Sequence, residues 1–208
     1  MKSQKPLIFD IGANRGDFSQ KYFDTCTVVA VEPNSSLIEC LKQRFVSSKV
    51  FIEPCAVSDK ISTIDFFICS IDQQSSCNKN WLTTMRYKND GISNTVHVVA
   101  TTLDSLIEKY GEPFHIKIDV EGYELEVVSG LSKRVGSIQF EYIIENFEDM
   151  SVPVIQKLQQ LGYDKFYVRQ ADGDFNPFDI SEPQLTAQQI IEKQCFPAKM
   201  GGMILASC

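Results

Sequence analysis

Histidine and tryptophan are scarce in this chain, with two and one among 208 residues. His97 and His115 have no ligand-spaced partner. The seven cysteines are scattered singly, with no CxxC pair and no neighbouring histidine, so no zinc site and no other metal site is predicted. No run of Lys and Arg occurs, and 27 acids against 20 bases give a net charge of −7. That balance disfavours nonspecific binding to nucleic acid or to anionic membranes. No apolar stretch approaches the ~20 residues of a membrane span. The first six residues run into an apolar segment without the hydrophobic core of a signal peptide. Unpaired, odd-numbered cysteines fit reduced thiols in a cytoplasmic protein. There is no internal repeat, linker or low-complexity segment, so residues 1–208 read as one domain.

What is present is concentrated in residues 9–19, FDIGANRGDFS. The apolar run Leu7-Ile8-Phe9 ends in Asp10, followed by Gly12 and Gly16 flanking Asn14. A second apolar run, Thr27 to Val31, ends in Glu32 and Pro33. A glycine turn after one parallel strand and an acid at the tip of the next form the usual cradle of a nucleotide-type cofactor, with the acid placed for ribose hydroxyls. A dinucleotide fingerprint, Gly-x-Gly-x-x-Gly, is missing: counted from Gly12, its second and third glycines are Asn14 and Asp17. An acid at that third place opposes a pyrophosphate, which argues against NAD or FAD. S-adenosylmethionine (SAM) has no phosphate and carries a sulfonium, an ammonium and one carboxylate. Asp10 is placed to attract its cationic end, and amides between Gly12 and Asp17 to hold its carboxylate. Asn34-Ser35-Ser36 matches a glycosylation sequon, but a glycan beside Glu32 would block this cleft, so the match is taken as accidental.

Strand and helix patterns alternate through most of the chain, the signature of an α/β sheet. Helices are predicted over 17–23, from an Asn34 or Ser35 cap through Leu37, Leu41 and Phe45, from a Thr102 cap to Tyr110, through Leu125, Val128 and Leu131, and over 152–161. Strands are predicted at 7–9, 27–31, 50–52, 115–120, 138–144, 166–168 and 203–205. Ala56 and Val57, just past a strand end, suit either a slot for an adenine ring or simple packing. Residues 63–68 and 95–99 read as an antiparallel pair beside the main sheet. The polar stretch 70–94 between them, with Ser75, Ser76, Trp81 and Arg86, reads as a lid or as a surface excursion anchored by Trp81.

Taken together, FDIGANRGDFS, VVAVEPN, CAVSD, TTLDSL and IKIDVEGYELEVVSGL resemble the FkbM family of SAM-dependent methyltransferases from about Leu7 to Glu145. The resemblance implies a Rossmann-like class I methyltransferase fold: a mostly parallel seven-stranded sheet ordered 3-2-1-4-5-7-6, strand 7 antiparallel, with helices on both faces. It also implies SAM as cofactor and O-methylation of a small hydroxylated molecule, often a sugar or polyketide-type hydroxyl. By residue, it places Asp10, Gly12, Asn14 and Gly16 on the SAM loop, Glu32 on the ribose, Asp59 near the adenine turn, and Asp119 and Glu121 in an acidic motif after the fourth strand. The chain begins almost at the first strand, so cover for the site is expected from residues 70–94 or from a partner subunit, as in a homodimer.

A hydroxyl is a poor nucleophile until its proton leaves, so a base is sought at the carboxyl ends of the central strands. Asp119 ranks first, then Glu121, then Glu141; a metal-dependent variant would use the same three acids. Glu121-Gly122 also suits an ordinary helix start. Lys117 lies two residues before Asp119 on the same face of a buried strand and needs a carboxylate partner, Asp10 or Glu141. His115 starts its strand, at the end away from the cleft. The leading expectation is an O-methyltransferase of a small, carbohydrate-type acceptor. The alternative is a SAM-binding module without catalysis that regulates or scaffolds a partner. A nucleic-acid methyltransferase is disfavoured by the charge and by the absence of an Asn/Asp-Pro-Pro-Tyr motif. An NAD-dependent oxidoreductase is disfavoured by Asp17.

Overall fold

Short apolar runs bounded by capped helices assemble into two sheets in the computed structural model, which describes residues 5–46, 49–83, 91–170, 173–192 and 201–207. The main sheet contains β1 (Leu7–Ile11), β2 (Thr27–Val31), β3 (Val50–Glu53), β7 (His115–Ile118), β8 (Ser137–Ile143), β9 (Lys165–Gln170) and β10 (Gly201–Ser207). Its order is β3-β2-β1-β7-β8-β10-β9. β10 runs antiparallel to both of its neighbours, and the other pairings are parallel. This is the order and the antiparallel seventh strand that the resemblance implies.

Alternation along the strands divides the core. Phe9, Ile11, Ile116, Ile118 and Phe140 pack with Leu103, Leu106, Val127, Val128, Ile155 and Leu158. These come from α3 (Leu103–Tyr110), α4 (Glu124–Ser129) and α5 (Phe147–Gln160). Ile8, Val28 and Ala30 join clusters with Phe18 of α1 (Asp17–Tyr22) and Leu41 of α2 (Ser35–Arg44). The Asn34 side chain caps α2 through the Ser36 amide, and Thr102 caps α3 through Ser105, as their residue types favour.

Most boundaries shift by a few residues from the sequence reading, three of them near the site. β7 ends at Ile118, so Asp119 and Val120 belong to the following turn rather than to the strand. α4 stops at Ser129, and Leu131 is buried just beyond it. α5 begins at Phe147 and carries Pro153 inside it. Phe147, 1 % exposed, packs into the core and extends the helix backwards from the predicted start at 152.

The predicted antiparallel pair is β5 (Ser62–Cys69) with β6 (Ile92–Thr101). A two-residue β4 (Ala56–Val57) joins β6 in parallel, a small sheet order of β4-β6-β5 that was not foreseen. On the α1 side of the sheet, residues 174–180 pack as well: Phe175 is fully buried against Met203 and Leu205, and Gln139 bonds both the Asp174 carboxylate and the Phe175 amide. A short α6 (Ala187–Ile191), begun by a Thr186–Gln189 capping box, packs on α5. No described helix is long and apolar enough to cross a membrane.

Candidate active site

At the carboxyl end of β1 the chain has to turn without a side chain. Gly12 has φ +75°, and a Cβ there would lie 1.9 Å from the Asp119 carbonyl oxygen. That close approach lets the Gly12 amide donate to Val31 and the Asp119 amide to Ile11, tying the ends of β1, β2 and β7 together. Gly16, φ +82°, packs its bare α-carbon on Leu41 and Phe45 and lies away from the clefts described below. Its bare α-carbon serves helix packing.

Two clefts meet at Gly12, Gln73 and Asp119. The first, about 530 Å³ and open to solvent, is walled by Glu32, Pro33, Ala56, Val57, Val120 and Tyr123. The second, about 540 Å³, runs past Asn14, Arg15, Lys117 and Asp174. Together they make an elongated site, with apolar walls around Glu32 at one end, Asp119 and Glu121 near the junction, and mostly charged groups at the other end. Among the residues predicted to hold a cofactor, Gly12, Asn14, Glu32, Pro33, Ala56, Val57 and Asp119 line it.

Glu32 is 4 % exposed and accepts the Asn14 amide at 2.9 Å and the Asn34 amide at 2.8 Å. Burial nevertheless pushes its carboxyl up to about 7. Each carboxylate oxygen keeps a second acceptor site for a ligand hydroxyl.

Asp10 is not part of either lining. It is fully buried; its Oδ2 accepts the Ser19 amide (3.1 Å) and hydroxyl (2.6 Å). Its Oδ1 has no hydrogen-bond partner and faces Lys117 Nζ at 3.5 Å. Burial raises its pKa, with Lys117 and Ser19 opposing. The expected direct attraction of a ligand cation is therefore corrected to a role behind the loop, where Asp10 holds α1 and Lys117.

Lys117 does find the predicted partner in Asp10, and a second in Asp119 at 3.2 Å; its ammonium also donates to the Gly12 carbonyl at 3.0 Å. Burial works against its charge, but Asp119 and Asp10 outweigh that and hold its pKa above the ordinary lysine range. Glu141, the other expected partner, is drawn instead toward Asp119 and Glu121. One carboxylate oxygen from each of these three lies within 4.8 Å of the others. β7–β8 register explains the meeting: Ile118 pairs with Phe140, so Asp119 and Glu141 are the next residues on one face.

The turn after Asp119 is backed by Glu124, whose buried carboxyl accepts the Val120 and Gly122 amides and is pushed up to about 7 by burial. Residues 73–83 lie over this turn, and Gln73, Ser75 and Cys77 join the first cleft. Arg86 lies outside the described residues. A third, smaller cavity is lined by Trp81, Glu141, Met150 and Ser151, so Glu141 joins it to the acid trio.

His115 sits at the opposite end of β7, buried, with Nδ1 at 2.8 Å from the Ser137 hydroxyl, and His97 is an exposed partner of Asp65. Sequence reasoning missed Gln73, Tyr123 and Asp174. Tyr123 stood within a quoted motif; Gln73 and Asp174 lie in polar segments with no pattern to mark them.

Residues 10–165 match the family described as Methyltransferase FkbM domain. No curated protein sequence matches the chain. Among solved structures, a SAM-dependent O-methyltransferase from Thermotoga maritima superposes with a TM-score of 0.50 at 13 % identity, over 98 % of this chain and 59 % of its own. Precorrin-6y C5,15-methyltransferase from Geobacter metallireducens gives 0.49 at 12 % identity, covering 99 % and 82 % of the two chains. Fibrillarin from Aeropyrum pernix, solved with natively bound SAM, gives 0.49 at 12 % identity, covering 98 % and 66 %. At such identity the first of these speaks for a shared fold and for nothing finer.

Proposed function

This chain belongs to the FkbM methyltransferase family, and from that premise we propose that it transfers a methyl group from SAM to a hydroxyl of a small, carbohydrate-type acceptor. The cleft suits the cofactor. Ala56, Val57 and Pro33 offer apolar walls beside Glu32, which is set to receive ribose hydroxyls. The charged end brings the Lys117 cation and the carboxylates of Asp119 and Asp174 to one cavity, matching an amino-acid moiety that carries both charges. When bound, SAM supplies an electrophilic methyl group on a positively charged sulfur.

The observation that carries the hydroxyl acceptor is the trio of carboxylates beside the cleft. Asp119 lines both clefts and is held by Lys117, so it faces the cofactor's cationic part. Glu121 stands next to it on the first cleft and Glu141 on the third cavity, and Glu121 is the group we assign to receive the acceptor's proton. A positioned base of this kind contributes roughly 10²–10⁴-fold. A net charge of −7 favours a neutral, hydroxylated acceptor over a polyanion.

The test is incubation with methyl-labelled SAM and fractionated sugar nucleotides, glycolipids and lipid intermediates. Label should enter a hydroxyl of one such fraction and fall sharply with Glu121→Gln. Label found only in RNA or protein, or in no fraction, refutes the acceptor class.

A further inference from the structure

We propose that Asn78, together with Ser76 and Trp81, is a positioning residue that fixes Glu121 for methyl transfer; the inference rests on the function proposed above. Glu121 has φ +55°, a left-handed conformation that few non-glycine residues adopt, and Gly122 follows with φ +84°. Such a turn persists only where its surroundings hold it. Here three side chains of one neighbouring segment do so. The Ser76 hydroxyl donates to the Glu121 carbonyl at 2.7 Å, and the Asn78 amide to the Gly122 carbonyl at 2.7 Å. The Trp81 indole N–H donates to the Glu121 carboxylate at 3.3 Å. The indole also lies flush on Gly122, where a Cβ would come within 2.6 Å of the ring.

The segment is itself anchored. Ser76 and Phe67 exchange backbone hydrogen bonds of 2.9 and 3.1 Å, fixing it to β5. Asn78 Oδ1 accepts the amides of Asn80 and Trp81, setting the short turn that presents the indole. Alternate residues face the other way: Gln73, Ser75 and Cys77 line the cofactor cleft. One strap therefore touches the cofactor cleft with one edge and grips the acid's turn with the other. The β7 motif alone does not hold Glu121 in place; the strap completes it.

Asn78→Asp separates the two jobs of Asn78. It keeps the oxygen that accepts the Asn80 and Trp81 amides and removes the donor to Gly122. Glu121→Gln removes the charged acceptor of the indole N–H. Because the chain has a single tryptophan, its fluorescence reads the contact without any acceptor present. Full-length Asn78→Asp should bind SAM within about threefold of wild type by calorimetry, and both variants should change the Trp81 emission, with Asn78→Asp shifting it to the red as the ring leaves Gly122. With the acceptor fraction found active above, Asn78→Asp should lower kcat by about tenfold or more and leave KM for SAM unchanged, since displacement of a reacting group by about 1 Å costs up to ~10²-fold. Should Asn78→Asp fail to fold, Glu121→Gln carries the emission test. Wild-type emission in the folded variants overturns the proposal, as does an unchanged kcat. Failure of the wild-type protein to bind SAM would instead refute the cofactor reading on which the proposal stands.

Discussion

Acidification should loosen the grip on SAM through a single carboxyl group. Burial raises Glu32 to about 7 in the free protein, even though the Asn34 and Asn14 amides favour its anion. Ribose hydroxyls donating to that carboxylate favour the anion further, so binding draws on the ionised form and lowers its pKa. Below the free-protein value, affinity should therefore fall about tenfold for each pH unit. Between pH 8 and pH 5.5 this amounts to roughly thirtyfold, provided the bound form stays ionised throughout. Folding has the opposite sign. A carboxyl raised in the folded state contributes stability that is complete below its unfolded value of 4.5 and is lost as pH rises through about 7. Calorimetric titration of SAM across this range measures the first effect. Glu32→Gln, which cannot ionise, should give a flat profile at weaker affinity, and the difference between the two proteins cancels titration of the ligand itself. A flat profile in wild type, or the same slope in Glu32→Gln, would show that Glu32 does not meet the ribose.

Gly12→Ala forces a Cβ to within 1.9 Å of the Asp119 carbonyl at φ +75°. It should cost at least about 2 kcal/mol in urea unfolding and abolish SAM binding in calorimetry. Lys117→Met leaves Asp10 and Asp119 without their buried cation. It should destabilise by about 3–5 kcal/mol, with part of the loss recovered when Asp10→Asn is added. Burial depresses His115 to about 4, so the stability it contributes is complete above 6.5 and is lost as pH falls toward that value. The loss should approach ~3 kcal/mol, and the acid slope in urea unfolding should flatten in His115→Gln. Methyl transfer should survive EDTA within about twofold, because the trio is assigned to accepting the acceptor's proton rather than to holding a metal; activity lost to the chelator and restored by Mg²⁺ would refute that assignment.

The main sheet was legible because its strands are short, apolar and bounded by polar punctuation. The Asp10-to-Gly16 turn and Glu32 announced the cleft. Lys117 announced its own ion pair, since an ammonium on a buried strand has to be matched. Less visible were the facts that depend on register. That Glu141 reaches Asp119 follows from Ile118 facing Phe140 across two strands, and nothing local in either segment states that offset. Asp10 was misplaced for a related reason: its side chain points to the α1 face, where Ser19 waits, and strand direction alone does not say which face opens to solvent. Residues 73–83 were legible only as an irregular stretch. Their hydrogen bonds run to backbone carbonyls of a turn more than forty positions away, and a carbonyl leaves no trace in residue type.

The placement of β10 bears on how the chain is made. It lies between β8 and β9, pairing Met203 with Glu141 on one side and with Arg169 on the other. A ribosome releases β9 before its neighbour exists, so the nascent domain carries an open strand edge until Gly201–Ser207 emerges. That stretch lies outside the matched residues 10–165. A fragment trimmed to the match would keep most of the cleft-lining residues but lose β10, nearly all of β9 and the start of β1, leaving β8 as an open edge, and aggregation during expression is the outcome to anticipate.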